Sequence, residues 1–289
     1  MRAHTFVRLA RRERWSRNLL VLAAPAAAGV LGEPTPALRT AIALVCLCLA
    51  ASGGYFFNDA LDAEADRVHP VKCQRPVAAG DLSASSAALV GVGLFVAAIG
   101  LAYTARPQLV LVVGGFVLVN VAYSAWLKEE AVLDLACVAA GFVLRLIAGG
   151  VAVGVTISSW FLLVAGAFSF VVVSAARHAE LRDLGDLAAA HRRSLQYYTT
   201  SYLNYVRAVA SAVAVLSYCL WAVSKSSTAA APVWFELSIV PFALGVVRYS
   251  LILERSNARK PEPLLVSDRT LVAIGCIWAS VFAIAISTG

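Results

Sequence analysis

The chain has 289 residues and a formal net charge of +7, and 60% of its residues are hydrophobic while only 14% are charged. Its mean hydropathy of +0.78 lies outside the range of soluble domains, so the composition indicates a membrane protein. No basic stripe is interleaved with aromatic residues on a soluble domain, which argues against nucleic-acid binding.

Apolar runs divide the chain into membrane spans. Nine runs are long enough to cross, as α-helices, a hydrocarbon core about 30 Å thick. They lie at about 18–32, 38–57, 84–104, 108–127, 131–152, 157–175, 203–223, 233–253 and 270–287. We therefore predict an all-α membrane protein, a bundle of nine transmembrane helices, in which residues 1–289 form a single domain.

The distribution of basic residues indicates how the spans are oriented. Residues 1–17 contain six arginines and no cleavable signal, so we expect this basic segment to stay in the cytosol. The loops after even-numbered spans contain most of the other Lys and Arg residues, in agreement with the positive-inside rule. The prediction is a multi-pass protein of the plasma (inner) membrane with its C-terminus outside. Its catalytic loops, 58–83 and 176–202, then face the cytosol.

The second span ends in a group of polar residues within the stretch FFNDALDAEADRVHP (56–70). Asn58, Asp59, Asp62 and Asp66 follow one another at helical spacing. A continuing helix would therefore place the three carboxylates on one face. Carboxylates this close repel each other unless a cation lies between them, and oxygen ligands without His or Cys favour Mg²⁺ bound to a substrate diphosphate. The alternative interpretation is a solvated helix end.

The next residues favour the magnesium site. The stretch RVHPVKCQRPVAAG brings Arg67, His69, Lys72 and Arg75 into one short loop, where they offer the cations that phosphates need. We therefore predict that the substrate carries a diphosphate.

These residues resemble a family signature. The pattern N-D-x-x-D-x-x-x-D at the end of the second span, followed by H-P-x-K-x-x-R-P, is similar to the first signature of the UbiA-type intramembrane prenyltransferases. The resemblance covers nearly the whole chain. It implies a UbiA-like bundle with a cavity on the cytosolic side, in which Asp59, Asp62 and Asp66 hold Mg²⁺ on a diphosphate.

A second stretch distinguishes between branches of that family. After the sixth span the chain reads SAARHAELRDLGDLAAAHRRSLQYYT, where Asp183 and Asp186 flank a Gly one residue closer than in the second signature of the quinone-forming enzymes. This stretch is a better fit to another pattern, in which basic residues precede A-E-L and R-K/R-S-L-x-x-Y-T follows. The matching residues are Arg177, His178, Glu180, Leu181, Arg192, Arg193, Ser194, Leu195, Tyr198 and Thr199.

Three more stretches support the same branch, RRERWSRNLLVLAAP (11–25), YSAWLKEEAVLDLACVAAGFVLRLIAGG (123–150) and PEPLLVSDRTL (261–271). Together they are similar to the decaprenyl-phosphate phosphoribosyltransferases of actinobacteria. This resemblance implies transfer of 5-phosphoribose from phosphoribosyl diphosphate to decaprenyl (polyprenyl) phosphate, with release of diphosphate, in the synthesis of cell-wall arabinan precursors. It also implies substrate-binding roles for Arg17, Tyr123 and Lys128. Tyr123, Lys128 and Glu180 each have a purely structural alternative.

The number of cations favours this branch on physical grounds. A sugar diphosphate donor and a lipid phosphate bring four phosphoryl groups together, and the inner loops contain more Arg and Lys than one diphosphate requires. Arg145 lies in the middle of a span, where an Arg costs at least about 2.5 kcal/mol unless it has a partner or faces a wet cavity. We expect it to face the cavity and to meet the lipid phosphate or a carboxylate such as Asp134. A structural ion pair between helices is the alternative.

The resemblance implies a mechanism. Asn58 orders the carboxylates that hold Mg²⁺, and Glu180 reaches in from the other inner loop. The cations that offset charge on the departing diphosphate are Lys72, Arg75 and Arg177. Arg192 and Arg193 are candidates for the donor's 5-phosphate. The histidines His178 and His191 are interpreted as loop residues.

Two other functions stay open from the sequence. A UbiA-type enzyme could instead move an isoprenyl group from a polyprenyl diphosphate to an aromatic acceptor. A transporter would need helices broken near mid-membrane. The expected partners are both substrates and the lipid bilayer, with homo-oligomers possible and no nucleic acid.

Overall fold

A computed structural model describes residues 9–68, 72–185, 192–227, 232–255 and 264–288, and every regular element in these ranges is helical. Eight long helices form the framework. They are α1 (Pro34–Leu61), α2 (Ala84–Ala105), α3 (Pro107–Ala122), α4 (Leu133–Val153), α5 (Ser159–Leu184), α6 (Thr200–Ser226), α7 (Ile239–Arg255) and α8 (Arg269–Thr288). A π-helical turn at Tyr123–Leu127 continues α3, and a short helix at Val233–Leu237 precedes α7.

Eight spans are present in the described ranges, so the predicted count of nine is not confirmed. All eight framework helices, two of them with their short extensions, are long and apolar enough to cross a membrane, which makes the chain a multi-pass membrane protein. The predicted first span, 18–32, is instead built from three short helices, Arg12–Leu22, Ala23–Ala27 and Val30–Gly32. Pro25 offers no backbone N–H to a helix, and Gly29 adopts a left-handed φ of 71°. Both features oppose one continuous helix.

Local sequence explains where most helices begin. Pro34 and Pro107 occupy the first turns of α1 and α3, where a missing N–H costs nothing. The first N–H groups of three others are capped by hydroxyl groups. These caps are Ser83 on Ser86 (3.1 Å), Ser158 on Phe161 (3.1 Å) and Thr199 on Tyr202 (3.1 Å).

The fifth long helix extends beyond its apolar run, which corrects the predicted loop 176–202. Residues up to Leu184 are helical, and Arg177 and Glu180 therefore lie on α5. The reason is that residues 175–184 are mostly good helix formers, and Arg177 pairs with Glu180 at i, i+3. Helical geometry thus continues where hydropathy alone predicts a loop.

Internal contacts group the chain into two compact units, 1–157 and 158–289. In the first unit α1 and α2 pack closely at glycines, because a Cβ on Gly53 would lie 2.9 Å from the carbonyl oxygen of Gly91. A Cβ on Gly149 of α4 would lie 1.9 Å from the carbonyl oxygen of Val21. Glycine is therefore required where α4 meets the segment Arg12–Leu22. That a single domain spans 1–289 stays a prediction.

The second unit has an aromatic cluster as part of its core. Tyr218 of α6 stacks on Phe242 of α7 with ring centroids 4.0 Å apart. Its hydroxyl accepts from Nε1 of Trp278 (2.9 Å) and shares a hydrogen bond with Ser238 (2.8 Å). The buried polar atoms of this cluster are thus satisfied, which fits a structural role.

Candidate active site

The predicted carboxylate motif lies at a helix break. Asp59 is in the last turn of α1, which ends at Leu61. Asp62 is not helical (φ −88°, ψ 2°), and a short helix, Ala63–Arg67, carries Asp66. The three carboxylates therefore do not follow one straight helix, as the spacing alone suggests.

Arg75 brings two of the three carboxylates together. Its Nη1 donates to Oδ2 of Asp66 (2.7 Å) and lies 3.3 Å from Oδ1 of Asp59. Arg11 also donates to Oδ1 of Asp59, at 2.8 Å. Asp59 and Asp66 are both buried, at 2% and 3% exposure. Burial raises the pKa of Asp66, and the neighbouring Arg75 opposes that rise.

Asp62 points to different partners. Lys128, just after the π-helical turn, forms an ion pair with its Oδ1, and Nδ2 of Asn58 donates to its Oδ2 at 3.0 Å. Asn58 thus orders one of the predicted ligands. Lys128 had been singled out by resemblance, and the structure places it directly on the motif.

The chemistry of this group suits a hard cation. Asp59 and Asp66 already direct oxygens at one positively charged nitrogen of Arg75. All the atoms that could bind a metal ion here are carboxylate oxygens. In the described ranges, no three His, Cys, Asp or Glu side chains are arranged to hold a metal ion. Asp59 and Asp66, which share Nη1 of Arg75, are the two carboxylates whose chemistry suits a cation, and Asp62 would have to leave Lys128 to join them.

Arg145 is buried within the membrane-spanning part of α4. Its Nε donates to Oδ1 of Asn18 (2.7 Å) and its Nη1 to the carbonyl oxygen of Gly141 (2.6 Å). The guanidinium carbon lies 4.6 Å from the ring centroid of Phe116. Asp134 is eleven residues earlier on the same helix, roughly 16 Å along its axis, and is too distant to be its partner.

Two residues of this region were not predicted as site residues, Arg11 and Tyr55. The guanidinium carbons of Arg11 and Arg14 lie 4.9 and 5.4 Å from the ring centroid of Tyr55. Burial lowers the pKa of Arg11, and Asp59 opposes this effect. Arg11 belongs to the quoted entry stretch, but no spacing rule connects it with Asp59, 48 residues later.

The second unit has its own charged cluster on α5. Nη1 of Arg177 lies 3.2 and 3.3 Å from the two carboxylate oxygens of Glu180. Nε of Arg192 lies 3.8 Å from the same carboxylate. Arg193 begins the short helix Arg193–Tyr197 and is exposed. Arg177, Glu180 and Arg192 are thus brought together within one unit, and Arg193 follows Arg192 in the chain.

A polar cluster on another face of α5 was missed. His178 is buried at 6% exposure, not in a loop as predicted, and hydrogen-bonds to Asn204. Arg207 donates to Asn204 (2.9 Å) and pairs with Glu254 of α7. Buried polar side chains in a span need such partners, so this network connects α5, α6 and α7.

The remaining predicted residues lie in short helical elements. Arg17 is in the segment Arg12–Leu22, Lys72 begins the helix Lys72–Gln74, and Tyr123 begins the π-helical turn. His69, Asp186 and His191 lie outside the described residues.

The comparisons with known proteins agree on one family. The model of the UbiA prenyltransferase family matches residues 19–285. The decaprenyl-phosphate phosphoribosyltransferase of Corynebacterium glutamicum is 38% identical, over 98% of this chain and 87% of its own length. The protein of the same name from Mycobacterium tuberculosis is 36% identical, over 98% of this chain and 94% of its own.

Solved structures show the same fold at low identity. A UbiA homolog from Archaeoglobus fulgidus bound to DMAPP and Mg²⁺ aligns with a TM-score of 0.72 and 18% identity, covering 98% of each chain. The same homolog bound to GPP and Mg²⁺ gives a TM-score of 0.70.

Proposed function

The chain belongs to the UbiA prenyltransferase family, and on this basis we propose that it transfers 5-phosphoribose from phosphoribosyl diphosphate to decaprenyl phosphate, releasing diphosphate. The observation that carries the proposal is the identity of 36–38%, over nearly the full chain, to relatives named decaprenyl-phosphate phosphoribosyltransferase. The product would be a precursor of cell-wall arabinan, as the sequence resemblance implies.

We assign the donor's diphosphate to the carboxylate motif. Asp59 and Asp66, with Asp62, are the residues that would hold Mg²⁺. When bound, the ion offsets charge on the diphosphate as it leaves. Asn58 keeps Asp62 oriented through its 3.0 Å hydrogen bond.

The cations around the motif would stabilise the leaving group. Arg75 and Lys128 contact the carboxylates directly, and Lys72 lies on the neighbouring short helix. Fixed positive groups aimed at a developing negative charge lower the barrier because they need no rearrangement during the reaction. The acceptor phosphate is already anionic at neutral pH, so no general base is required. Attack opposite the leaving group then inverts the configuration at the ribose C1.

Arg145 is the proposed anchor for the lipid phosphate. It is buried in a span, and its described hydrogen bonds go to the neutral groups of Asn18 and Gly141. An intramembrane Arg that does not face a carboxylate is costly, and an anionic substrate would offset that cost.

The second unit supplies further cations. We propose that Arg192 and Arg193 bind the donor's 5-phosphate and that Arg177 helps to offset charge on the departing diphosphate. Glu180 orders Arg177 and Arg192 through the contacts described above. The proposed orientation places the motif and these residues on the cytosolic side of the inner membrane, where the water-soluble donor is found. Homo-oligomers stay a prediction.

Label transfer tests this function. Purified protein in detergent is incubated with Mg²⁺, radiolabelled phosphoribosyl diphosphate and decaprenyl phosphate, and label is followed into the organic phase. We expect transfer in the wild type, loss of transfer with EDTA, and a decrease of roughly 100-fold or more in Asp62→Ala.

A matched control and a competing assay complete the test. Glu64→Ala removes an exposed carboxylate two residues from Asp62 and should leave transfer unchanged. If no label moves but a polyprenyl diphosphate is consumed with an aromatic acid, the chain is an aromatic prenyltransferase and the proposal is wrong.

A further inference from the structure

One face of α7 combines two cations with an apolar strip between them. Arg248, Leu251, Ile252 and Arg255 stand at i, i+3, i+4 and i+7, so they follow one another along a single face. Together with Asp268 they line a cavity of about 300 Å³. None of these residues takes part in the proposed transfer reaction.

Arg248 is held in place by a bidentate contact. Its Nε and Nη2 donate to the two carboxylate oxygens of Asp268 at 3.1 and 2.7 Å. Asp268 also accepts from the backbone N–H of Leu271 (2.7 Å), which caps the start of α8. The hydrogen bond from Arg248 lowers the pKa of Asp268, which keeps this carboxylate charged. The Arg248 guanidinium is thus fixed in the cavity wall, and Asp268 neutralises it.

Arg255 brings an additional charge to the same face. It is the last residue of α7, it is exposed, and it forms no ion pair with any residue in the described ranges. Arg269, next to Asp268 at the start of α8, is also exposed. Two guanidinium groups, of Arg248 and Arg255, and one carboxylate therefore line this cavity, so the local charge is positive.

The apolar strip indicates which kind of anion fits this cavity. Leu251 is 39% exposed, and Ile252 is partly exposed beside it. At 1.5 Å per residue, Arg248 lies about 10 Å along the helix from Arg255. A ligand that fits both features has a phosphate at the helix end and hydrocarbon about one turn deeper.

The second unit collects its basic residues at this same end. Nη1 of Arg182 on α5 donates to the carbonyl oxygen of Glu254 on α7 (3.3 Å), so the C-terminal ends of both helices meet. By the positive-inside rule this end faces the cytosolic leaflet, whose surface is anionic. Basic pockets between helices at that level are known to bind acidic head groups.

We propose that this face of α7 binds an anionic phospholipid of the inner leaflet. The phosphodiester contacts Arg255 and the Nη1 edge of Arg248, and an acyl chain lies along Leu251 and Ile252. Inorganic phosphate is also an anion, but it has no hydrocarbon that could contact Leu251 and Ile252.

Lipid retention measured by native mass spectrometry tests the site. Full-length protein is exchanged into detergent containing equal phosphatidylglycerol and phosphatidylcholine, and the bound lipid is counted. We expect preferential retention of phosphatidylglycerol, and roughly fivefold weaker retention in Arg255→Gln. The exposed position of Arg255 lets this variant fold, which an unchanged melting temperature verifies.

A second variant and a competitor give the outcomes that overturn the proposal. Arg182→Gln removes an exposed guanidinium from the same end of the unit and should retain the lipid as the wild type does. Equal losses of lipid retention in Arg182→Gln and Arg255→Gln would indicate that the lipid is attracted by general surface charge and not by this site. Displacement of the lipid by millimolar inorganic phosphate would indicate a site for free phosphate. Unchanged retention in Arg255→Gln would show that this face of α7 does not bind the lipid.

Discussion

At the scale of single residues, the two buried carboxylates of the motif depend on one guanidinium. A carboxylate removed from water is costly unless a cation and hydrogen bonds compensate it. Asp59 has both Arg11 and Arg75, whereas the ion pair of Asp66 is with Arg75. Arg75 is thus a structural residue of the site as well as a candidate for stabilising the leaving group.

Replacing Arg75 by Gln should therefore destabilise the protein. Asp66, whose side chain is 5% exposed, would keep a buried charge without its hydrogen-bonded cation, and we expect the free energy of unfolding to fall by about 3 kcal/mol. The melting temperature in detergent measures this effect.

Two further variants separate this cause from a general loss of charge. Arg67→Gln removes an exposed cation nearby and should melt like the wild type. The double variant Asp66→Asn with Arg75→Gln removes the buried charge too and should recover most of the lost stability. An Arg75→Gln protein as stable as the wild type would contradict the assigned role.

At the scale of elements, glycines determine how closely α1 and α2 approach. Gly53 lies against the backbone of Gly91 and the ring of Phe95, where a Cβ would be 2.9 and 2.8 Å away. Gly93, two residues further along α2 than Gly91, has open space at its Cβ position. The first pair is therefore a packing requirement of the kind common between membrane helices.

This difference predicts opposite results for two similar substitutions. Gly53→Ala should force α1 and α2 apart and lower the free energy of unfolding by about 1–3 kcal/mol. Gly93→Ala should be neutral or stabilise by up to about 1 kcal/mol, because Ala is the better helix former. Thermal unfolding of both proteins in detergent measures these changes. Similar melting temperatures for the two variants would show that the close contact does not constrain the helices.

At the scale of the whole molecule, the number of spans determines whether the two termini lie on the same side of the membrane. The described ranges contain eight spans, whereas the sequence predicts a ninth at 18–32, where the structure has three short helices. An odd number puts the two termini on opposite sides of the membrane, and an even number puts them on the same side. Charge favours the odd number, because the basic segment 1–17 and the basic loops then share the cytosol.

Reporter fusions together with a tag at the N-terminus resolve this count. We expect alkaline phosphatase fused after Gly289 to be active, since that enzyme needs the oxidising outer side, and a fusion after Arg106 to be active as well. A fusion after Arg75 should be inactive and serves as the internal control. Because six spans follow Arg106, these fusions fix the side of the C-terminus, and an epitope tag before residue 1 then gives the count. A tag that antibody reaches only after the cells are permeabilised means that 18–32 crosses the membrane, whereas a tag reached on intact cells means that it does not.

The continuous helices also bear on the transporter alternative. In the described ranges the eight spans lack breaks at mid-length, and the π-helical turn lies at the end of its span, at Tyr123–Leu127. Transporters of the discontinuous-helix type place their substrate site at such breaks. The carboxylates Asp59, Asp62 and Asp66 lie instead at and just beyond a helix end, which suits an enzyme that joins part of a soluble donor to a lipid.

The sequence alone determined the eight long spans and the location of the carboxylate motif. Lipid admits only backbone that satisfies its own hydrogen bonds, so these eight apolar runs form helices whatever their neighbours are. The motif was equally local, because Asn58, Asp59, Asp62 and Asp66 stand within nine residues. Hydropathy could not locate the true end of α5, because polar residues that favour helix continue it past the apolar run.

Only the tertiary structure decided which side chains meet. The helix break at Asp62 separates its carboxylate from the other two, and Lys128, 66 residues away in sequence, then pairs with it. Asn18 and Arg145 meet across 127 residues of sequence. Helical periodicity relates residues within one element, but it contains no information about distances between elements. Those distances depend on how the helices pack, at positions such as Gly53 and Gly149, and so the partners of each charge follow from the fold.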